Sequence, residues 1–352
     1  MKKSLIALAA LAAVTAASAQ SSVTISGALV LGVGATEIGT ASSDLQIGRQ
    51  TGNIQFAGTE DLGGGLKAGF AVQTAIGAQA TSDTTTSIAA NRTILGDRAA
   101  NITLTGAFGG VLVGRANTSV RNQMGIADVS NLPVISGLSA SSSAATTSAD
   151  NGNYVNAGSD ANARIIYSDT FANQVAYSTP TISGFNASVG VVPSQTVSTG
   201  VGDNGITKDT LSYTVNYSNG PLNASVNLTD SQTGANPYKM TTIVANYDLG
   251  VIKVGFAQQG IRTAGTDVSP GNGTMVTAKI PMGSGNWGLG YGRRTATAQT
   301  SASFGDDVKQ VFVGYRYDLS KRTHLSAVYN NIDRAGTATD VKETHIMVGH
   351  SF

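Results

Sequence analysis

The stretch from Gly58 to Ala68, GTEDLGGGLKA, brings together two acids, three consecutive glycines and a lysine. A glycine-rich loop can wrap a phosphate in backbone N–H groups, but the nucleotide-binding form needs GxxxxGK followed by Ser or Thr, between a strand and a helix. Here Leu66 separates the glycines from Lys67, Ala68 stands where the hydroxyl belongs, and no helical periodicity follows. The spacing excludes that chemistry and leaves a tight turn. Nucleophilic hydrolysis needs a base beside the nucleophile and a third group to orient it. The three histidines do not supply this: His324 falls at a predicted turn, and His345 and His350 have opposite parity on one predicted strand, so they face opposite sides. No G-x-S-x-G elbow occurs between a strand and a helix. With no cysteine and dispersed histidines, thiolate chemistry, a disulfide scaffold and a zinc site are not expected, and no cofactor is implied.

The scaffold follows from composition and period. The chain opens with Lys2 and Lys3, an apolar run from Leu5 to Val14 and then Ala17-Ser18-Ala19. That order reads as a secretory signal peptide over residues 1–19, with the domain proper over 20–352. Without Lys2 and Lys3 the 22 basic residues fall to 20, against 21 acids, which argues against a nucleic-acid partner. Charged residues make up 12% of the chain, about half the share of a soluble domain, while glycines number 43. Beyond the leader no 18-residue apolar run occurs, so a helical membrane protein is excluded.

The hydrophobic period is two. In LNASVNLT, Leu222, Ala224, Val226 and Leu228 alternate with Asn223, Ser225, Asn227 and Thr229. NIQFAG, LKAGFAVQ, NITLT and LSYTVNY alternate in the same way, and no window shows a helical face. Seven short Gly/Asn/Pro/Ser connections alternate with eight long polar ones, the longest near 119–172. Fifteen such connections join sixteen strands, which at about 9–11 residues each need roughly 145–175 residues. The reading is all-β: a sixteen-stranded antiparallel transmembrane β-barrel, apolar outside, with an inward face of Gly, Ser, Asn, Thr and Gln. A soluble sandwich would need that inward face to be apolar. Tyr177, Tyr217, Tyr247, Trp287, Tyr315, Tyr317 and Tyr329 near strand ends suit interfacial girdles. Phe352 ends an alternating strand, THIMVGHSF.

These residues resemble a family. GTEDLGGGLKA is similar to the second-to-third-strand hairpin of Gram-negative general porins, in particular the betaproteobacterial kind. RAANITLTGAFGGVLVGR (98–115), NQVAYSTPTISGF (173–185), YDLSKRTHLSAVY (317–329) and the ending VGHSF resemble other strands of that family. The resemblance spans the chain from about Ser22 to Phe352. It implies an outer-membrane channel for small hydrophilic solutes and ions, homotrimeric, with the third long loop folded inward. It further implies contact with outer-membrane lipid and lipopolysaccharide, and assembly by the barrel machinery through Phe352. A substrate-specific channel of the same fold is the main alternative; a barrel enzyme or an adhesin is the other class.

In the family, basic wall residues face loop acids across a constriction. Of the loop acids Asp128, Asp150, Asp160 and Asp169, Asp128 is the candidate, because it lies in the less repetitive half. Arg98 and Arg115 match family positions. Arg115 shares parity with the outward Val111 and Val113, so it sits at a strand end or after a redirecting bulge. Asn53, Ala57 and Ala176 fall where relatives carry basic residues, and Arg164 lies just upstream as a substitute for the last. Lys67, Lys253 and Arg316 have parities compatible with the lumen. A wall thinned of cations predicts weak ion preference.

Overall fold

A computed structural model describes residues 22–39, 41–42, 45–76, 95–133, 165–166, 171–193, 209–231, 237–263, 269–297, 307–334 and 340–352. The leader, Arg164 and the other three loop acids lie outside the described residues.

The strands in chain order are β1 (Ser22–Ile38), β2 (Ala41–Ser42), β3 (Gln46–Gly63), β4 (Leu66–Ala75), β5 (Ala99–Gly106) and β6 (Gly109–Asn117), followed by helix α1 (Ser119–Ala127). Then come β7 (Phe171–Ser178), β8 (Phe185–Val192), β9 (Thr210–Asn219), β10 (Leu222–Ser231), β11 (Tyr238–Asp248) and β12 (Lys253–Thr263). The last are β13 (Ser269–Met282), β14 (Gly285–Thr297), β15 (Val308–Asp318), β16 (Thr323–Arg334) and β17 (Val341–Ser351). β2 is a two-residue ladder in the first long connection; the other sixteen cross the wall, each antiparallel to its sequence neighbour. β1 pairs with both β3 and β17, which closes the sheet. Closure leaves no edge, as lipid demands of a spanning sheet. The chain end is pinned, since Phe352 N–H donates to the Gly27 carbonyl and Gly27 N–H to the Phe352 carbonyl, both at 3.0 Å.

The Gly58–Ala68 motif is the β3–β4 turn. Gly63, Gly64 and Gly65 have φ of +84°, +61° and +80°, a run of left-handed residues that only glycine adopts without strain. The Asp61 carboxylate accepts from Gly63 N–H at 2.9 Å and fixes the entry. All seven short connections lie at this end of the barrel and the long ones at the other.

Alternation sets the two faces. Phe256, Val276, Tyr291 and Val311 are register neighbours across β12–β15 and are 40–50% exposed on the outer wall. At the short-turn rim, Trp287 and Tyr315 lie 5.2 Å apart and Phe185 and Tyr217 4.5 Å, and the Tyr315 hydroxyl donates to the Met282 carbonyl.

Two expectations need correction. The inward face is not small and polar throughout. It is so on β3–β10 apart from Leu112, Val192 and the rim pair Asp61 and Lys67, but β11–β17 point Met240, Val244, Ile261, Met275, Phe312, Val328, Ile332, Val341 and Met347 inward, all buried. These residues have something to pack against, namely the loop and one another, so the solvent argument for a polar face does not apply to them. The helix α1 was also not expected. Val120, Gln123, Met124 and Ala127 form its buried face at helical spacing, and Thr118 caps it by accepting from Arg121 N–H. Nine residues make a weak periodic signal.

Candidate functional site

The described parts of the longest connection, 119–133 and 165–166, fold into the bore. Helix α1 lies against β10–β13, and the segment after it, 128–133, runs across β13–β15. Five wall side chains hold this path. Gln123 Nε2 donates to Ser225 Oγ at 2.8 Å, and Asn246 Nδ2 donates to the Ile126 carbonyl at 2.8 Å. Thr277 Oγ1 donates to the Ala127 carbonyl at 2.6 Å and accepts from Val129 N–H at 3.1 Å. Asn286 Nδ2 donates to the Ser130 carbonyl at 3.0 Å, and Arg316 Nη1 reaches Asn131 Oδ1 at 3.4 Å. Each bond satisfies loop backbone or amide groups that burial would otherwise leave unpaired.

Inward glycines make the room. A Cβ on Gly255 would overlap the Ala127 carbonyl oxygen, and one on Gly273 the Ile165 carbonyl oxygen. One on Gly288 would come within 2.6 Å of the Ser130 carbonyl and of Leu132 Cγ. Ile165 and Ile166, on the returning leg, are 1% and 0% exposed. The loop backbone therefore sits in van der Waals contact with the wall, and apolar groups fill the space beside it.

Asp128 ends α1, its N–H donating to the Met124 carbonyl at 2.8 Å. Its Oδ1 accepts from Ser130 N–H at 3.0 Å and Ser130 Oγ at 2.7 Å. Burial raises its pKa above the ordinary aspartate range, and the Ser130 hydrogen bonds oppose the shift without cancelling it. The flanking residues dock on Gly255 and Thr277, which are directly opposed in register. One inward step from that pair stand Lys253 and Lys279, also directly opposed. Two strand residues span roughly 7 Å, so two cations line the wall beside the loop acid.

Arg316 faces inward, but it is engaged. Its Nε lies 2.7 Å from Asp318 Oδ1 as well as touching Asn131. Lys67 faces the lumen opposite Asp61, at the short-turn rim. Arg115 takes the strand-end alternative. β6 has no register shift, so Arg115 keeps the outward parity of Val113, with Nε bonded to the Asp97 carbonyl and the guanidinium 5.8 Å from the Phe171 ring. Arg98 precedes β5 at the long-loop end, with its side chain buried and its N–H donating to the Gln73 carbonyl. The structure thus brings Asp128, Lys253 and Arg316 to one side of the bore, and Lys67, Arg98 and Arg115 elsewhere.

Sequence reasoning missed Lys279, although Val276, Ala278 and Ile280 face outward and parity would have found it. It also missed a buried polar ladder in which Gln310 donates to Asn330 at 2.9 Å and Asn330 to Glu343 at 2.8 Å. Asn53, Ala57 and Ala176 all face inward. Among the described side chains, the inward faces of β5–β10 carry no ionisable group.

A closed sheet with an apolar exterior and a polar arc inside is a transmembrane barrel, and a loop folded into its bore makes it a restricted channel. The pattern of the Gram-negative porin family matches residues 7–337. Outer membrane porin protein 32 of Delftia acidovorans is 31% identical, over 94% of this chain and 89% of that one. The major outer membrane protein P.IB of Neisseria meningitidis is 28% identical, over 92% of this chain and 91% of that one. Among solved structures, the anion-selective porin from Comamonas acidovorans has a TM-score of 0.71 at 25% identity, covering 95% of this chain and all of that one. Salmonella typhi OmpF shares the fold at TM-score 0.68 and 14% identity, covering 94% of this chain and 97% of that one. The chain belongs to the Gram-negative porin family and is an outer-membrane porin.

Proposed function

We propose that this porin is a general diffusion channel with weak ion preference, in which size restricts passage more than charge. The observation that carries this is the neutral arc on β5–β10, joined on β3 and β4 by the inward Asn53, Gln55, Ala57 and Gln73. Fixed charge tilts ion passage only where it faces the open bore. Among the described residues, the charges on or beside the loop are Arg121, Asp128, Lys253, Lys279, Arg294 and Arg316, and they include both signs. Arg316 serves first to hold the loop, while Arg98 and Arg115 act at the long-loop end. A substrate-specific channel would need a ladder of aromatics or a dense charge track on the arc, and the arc is made of amides, hydroxyls and small residues with Leu112 and Val192 among them. The relative from Comamonas acidovorans is an anion-selective porin; the absence of basic residues at 53, 57 and 176 argues for a weaker preference here.

The working unit is a homotrimer, with a cleaved leader over 1–19 and assembly guided by Phe352. OmpT of Vibrio cholerae, which shares the fold at TM-score 0.62, has been solved in a trimer form. Planar-bilayer recording with neutral solutes of increasing size tests the reading. Conductance in steps of three with a sharp size limit is expected. Absence of conductance would end it.

A further inference from the structure

Two of the ties that hold helix α1, at Gln123 and at the Ile126 carbonyl, continue into the wall as chains of side-chain hydrogen bonds. In the first, Gln123 Nε2 donates to Ser225 Oγ at 2.8 Å, and Ser225 Oγ donates to Asn216 Oδ1 at 2.7 Å. Asn216 Nδ2 then donates to Asn186 Oδ1 at 3.2 Å, and Asn186 Nδ2 to the Thr179 carbonyl at 2.6 Å. In the second, Ser218 Oγ donates to Asn223 Oδ1 at 2.6 Å, Asn223 Nδ2 to Asn246 Oδ1 at 3.1 Å, and Asn246 Nδ2 to the Ile126 carbonyl at 2.8 Å. Asn186, Asn216 and Ser225 are directly opposed across β8–β10, and Ser218, Asn223 and Asn246 across β9–β11. The two rows stand two residues apart on β9 and β10, roughly 7 Å.

Each chain runs one way. A carbonyl oxygen only accepts, so the Thr179 carbonyl makes Asn186 Nδ2 its donor and turns Asn186 Oδ1 toward Asn216. The choice passes along the row: the one proton of Ser225 goes to Asn216, and Gln123 is left as donor to Ser225. The Ile126 carbonyl orients Asn246, and through it Asn223, in the same manner. The loop donates into the first chain and accepts from the second. On β11 the Ser225 row meets Val244, which has no hydrogen-bonding group, so Ser225 takes its donor from the loop. Gln123 is 2% exposed, and its Oε1 has no partner among the described residues. Turning that amide over would draw the Ser225 proton away from Asn216 and leave Gln123 Nε2 unpaired instead.

We infer that Asn186 and Asn216, which lie on the open arc and make no hydrogen bond to the loop, are positioning residues for the constriction. Acting through Ser225, they fix the group that accepts from Gln123; Asn223, acting through Asn246, fixes the group that donates to Ile126. Hydrogen bonds in a chain polarise one another, so a break at Asn216 weakens the Gln123–Ser225 bond although nothing beside the loop has changed. The amides of the arc thus do more than keep it neutral: they set where α1 stands. This rests on the inward path of the loop and not on the ion preference of the bore.

Hydrogen–deuterium exchange of the folded porin in detergent tests it, read by mass spectrometry on peptides covering 119–127, because amide exchange reports local opening. Asn216→Leu keeps the size of the side chain and removes both of its bonds. It should speed exchange of α1 roughly fivefold, the equivalent of about 1 kcal/mol for one hydrogen bond. Gln123→Leu should do at least as much. The double variant Q123L/N216L should exchange no faster than Q123L alone, since both changes cut one chain. Gln55→Leu removes an inward amide that is bonded to Gln73 and belongs to neither chain, and should leave α1 as in wild type. If Asn216→Leu does not form a barrel, Asn186→Ala, one step further from the loop, carries the comparison. Unchanged exchange of α1 in the Asn216 or Asn186 variant would overturn the assignment. So would a double-variant effect equal to the sum of the single ones, or equal acceleration by Gln55→Leu.

Discussion

The two sides of the bore are built on different principles. On β3–β10 the inward residues are mostly glycine, alanine, amides and hydroxyls, with Leu112, Val192 and the rim pair Asp61 and Lys67 as exceptions, and those on β3–β9 are mostly half-exposed to the lumen. On β11–β17 the inward residues alternate apolar and polar types and are nearly all buried, beneath the loop or against one another. The first side is a channel wall and the second is a protein core that happens to lie inside a barrel. A barrel wall need be polar inside only where water touches it. Where a loop covers it, the ordinary logic of packing returns, with glycines for close approach and methionine, isoleucine and phenylalanine for filling.

The strongest way to break this division is to lift the loop. Gly255→Val places a side chain where the Ala127 carbonyl lies. Overpacking should cost about 1–3 kcal/mol and displace the loop. Single-channel conductance should change while the folded barrel, followed by gel mobility, persists. Next, the neutral side can be given charge. Asn53→Arg with Ala176→Arg puts two cations on the open arc, and at about 1 kcal/mol each should raise the anion-to-cation permeability ratio roughly fivefold per residue, read from reversal potentials. Removing cations from the packed side should do less. Lys253→Gln with Lys279→Gln should shift the same potential toward cations by about two- to fivefold.

The smallest effect is a pH dependence. Burial raises the Asp128 pKa, so as pH falls toward that raised value the carboxylate takes up a proton before an ordinary aspartate would. Its negative charge is lost and the pore should become slightly more favourable to anions. For stability the sign is the reverse of a salt-bridged acid. The folded state holds this proton more tightly than the unfolded chain, so the loop's contribution falls as pH rises from the usual aspartate value through the raised one. Asp128→Asn should abolish this step in a reversal-potential titration.

Much of this was legible in the sequence. Period-two alternation assigned Val226 and Asn227 to opposite faces, and the seven short and eight long connections gave the strand number. Parity also put Lys253 and Arg316 in the lumen. The packed side was not legible, because an inward Met275 or Phe312 blurs the alternation and a core contact leaves no mark on its own strand. The tethering of Arg316 by Asn131 joins residues 185 positions apart, which no local pattern reports. Arg115 was ambiguous for a local reason: only the backbone register could exclude a bulge.

The central claim is that the open side of the bore is electrically neutral. Reversal potential of the wild-type channel in a potassium chloride gradient tests it most directly. A value near zero, with Asn53→Arg moving it clearly toward the anion limit, is expected. A wild-type potential already near that limit would contradict the account.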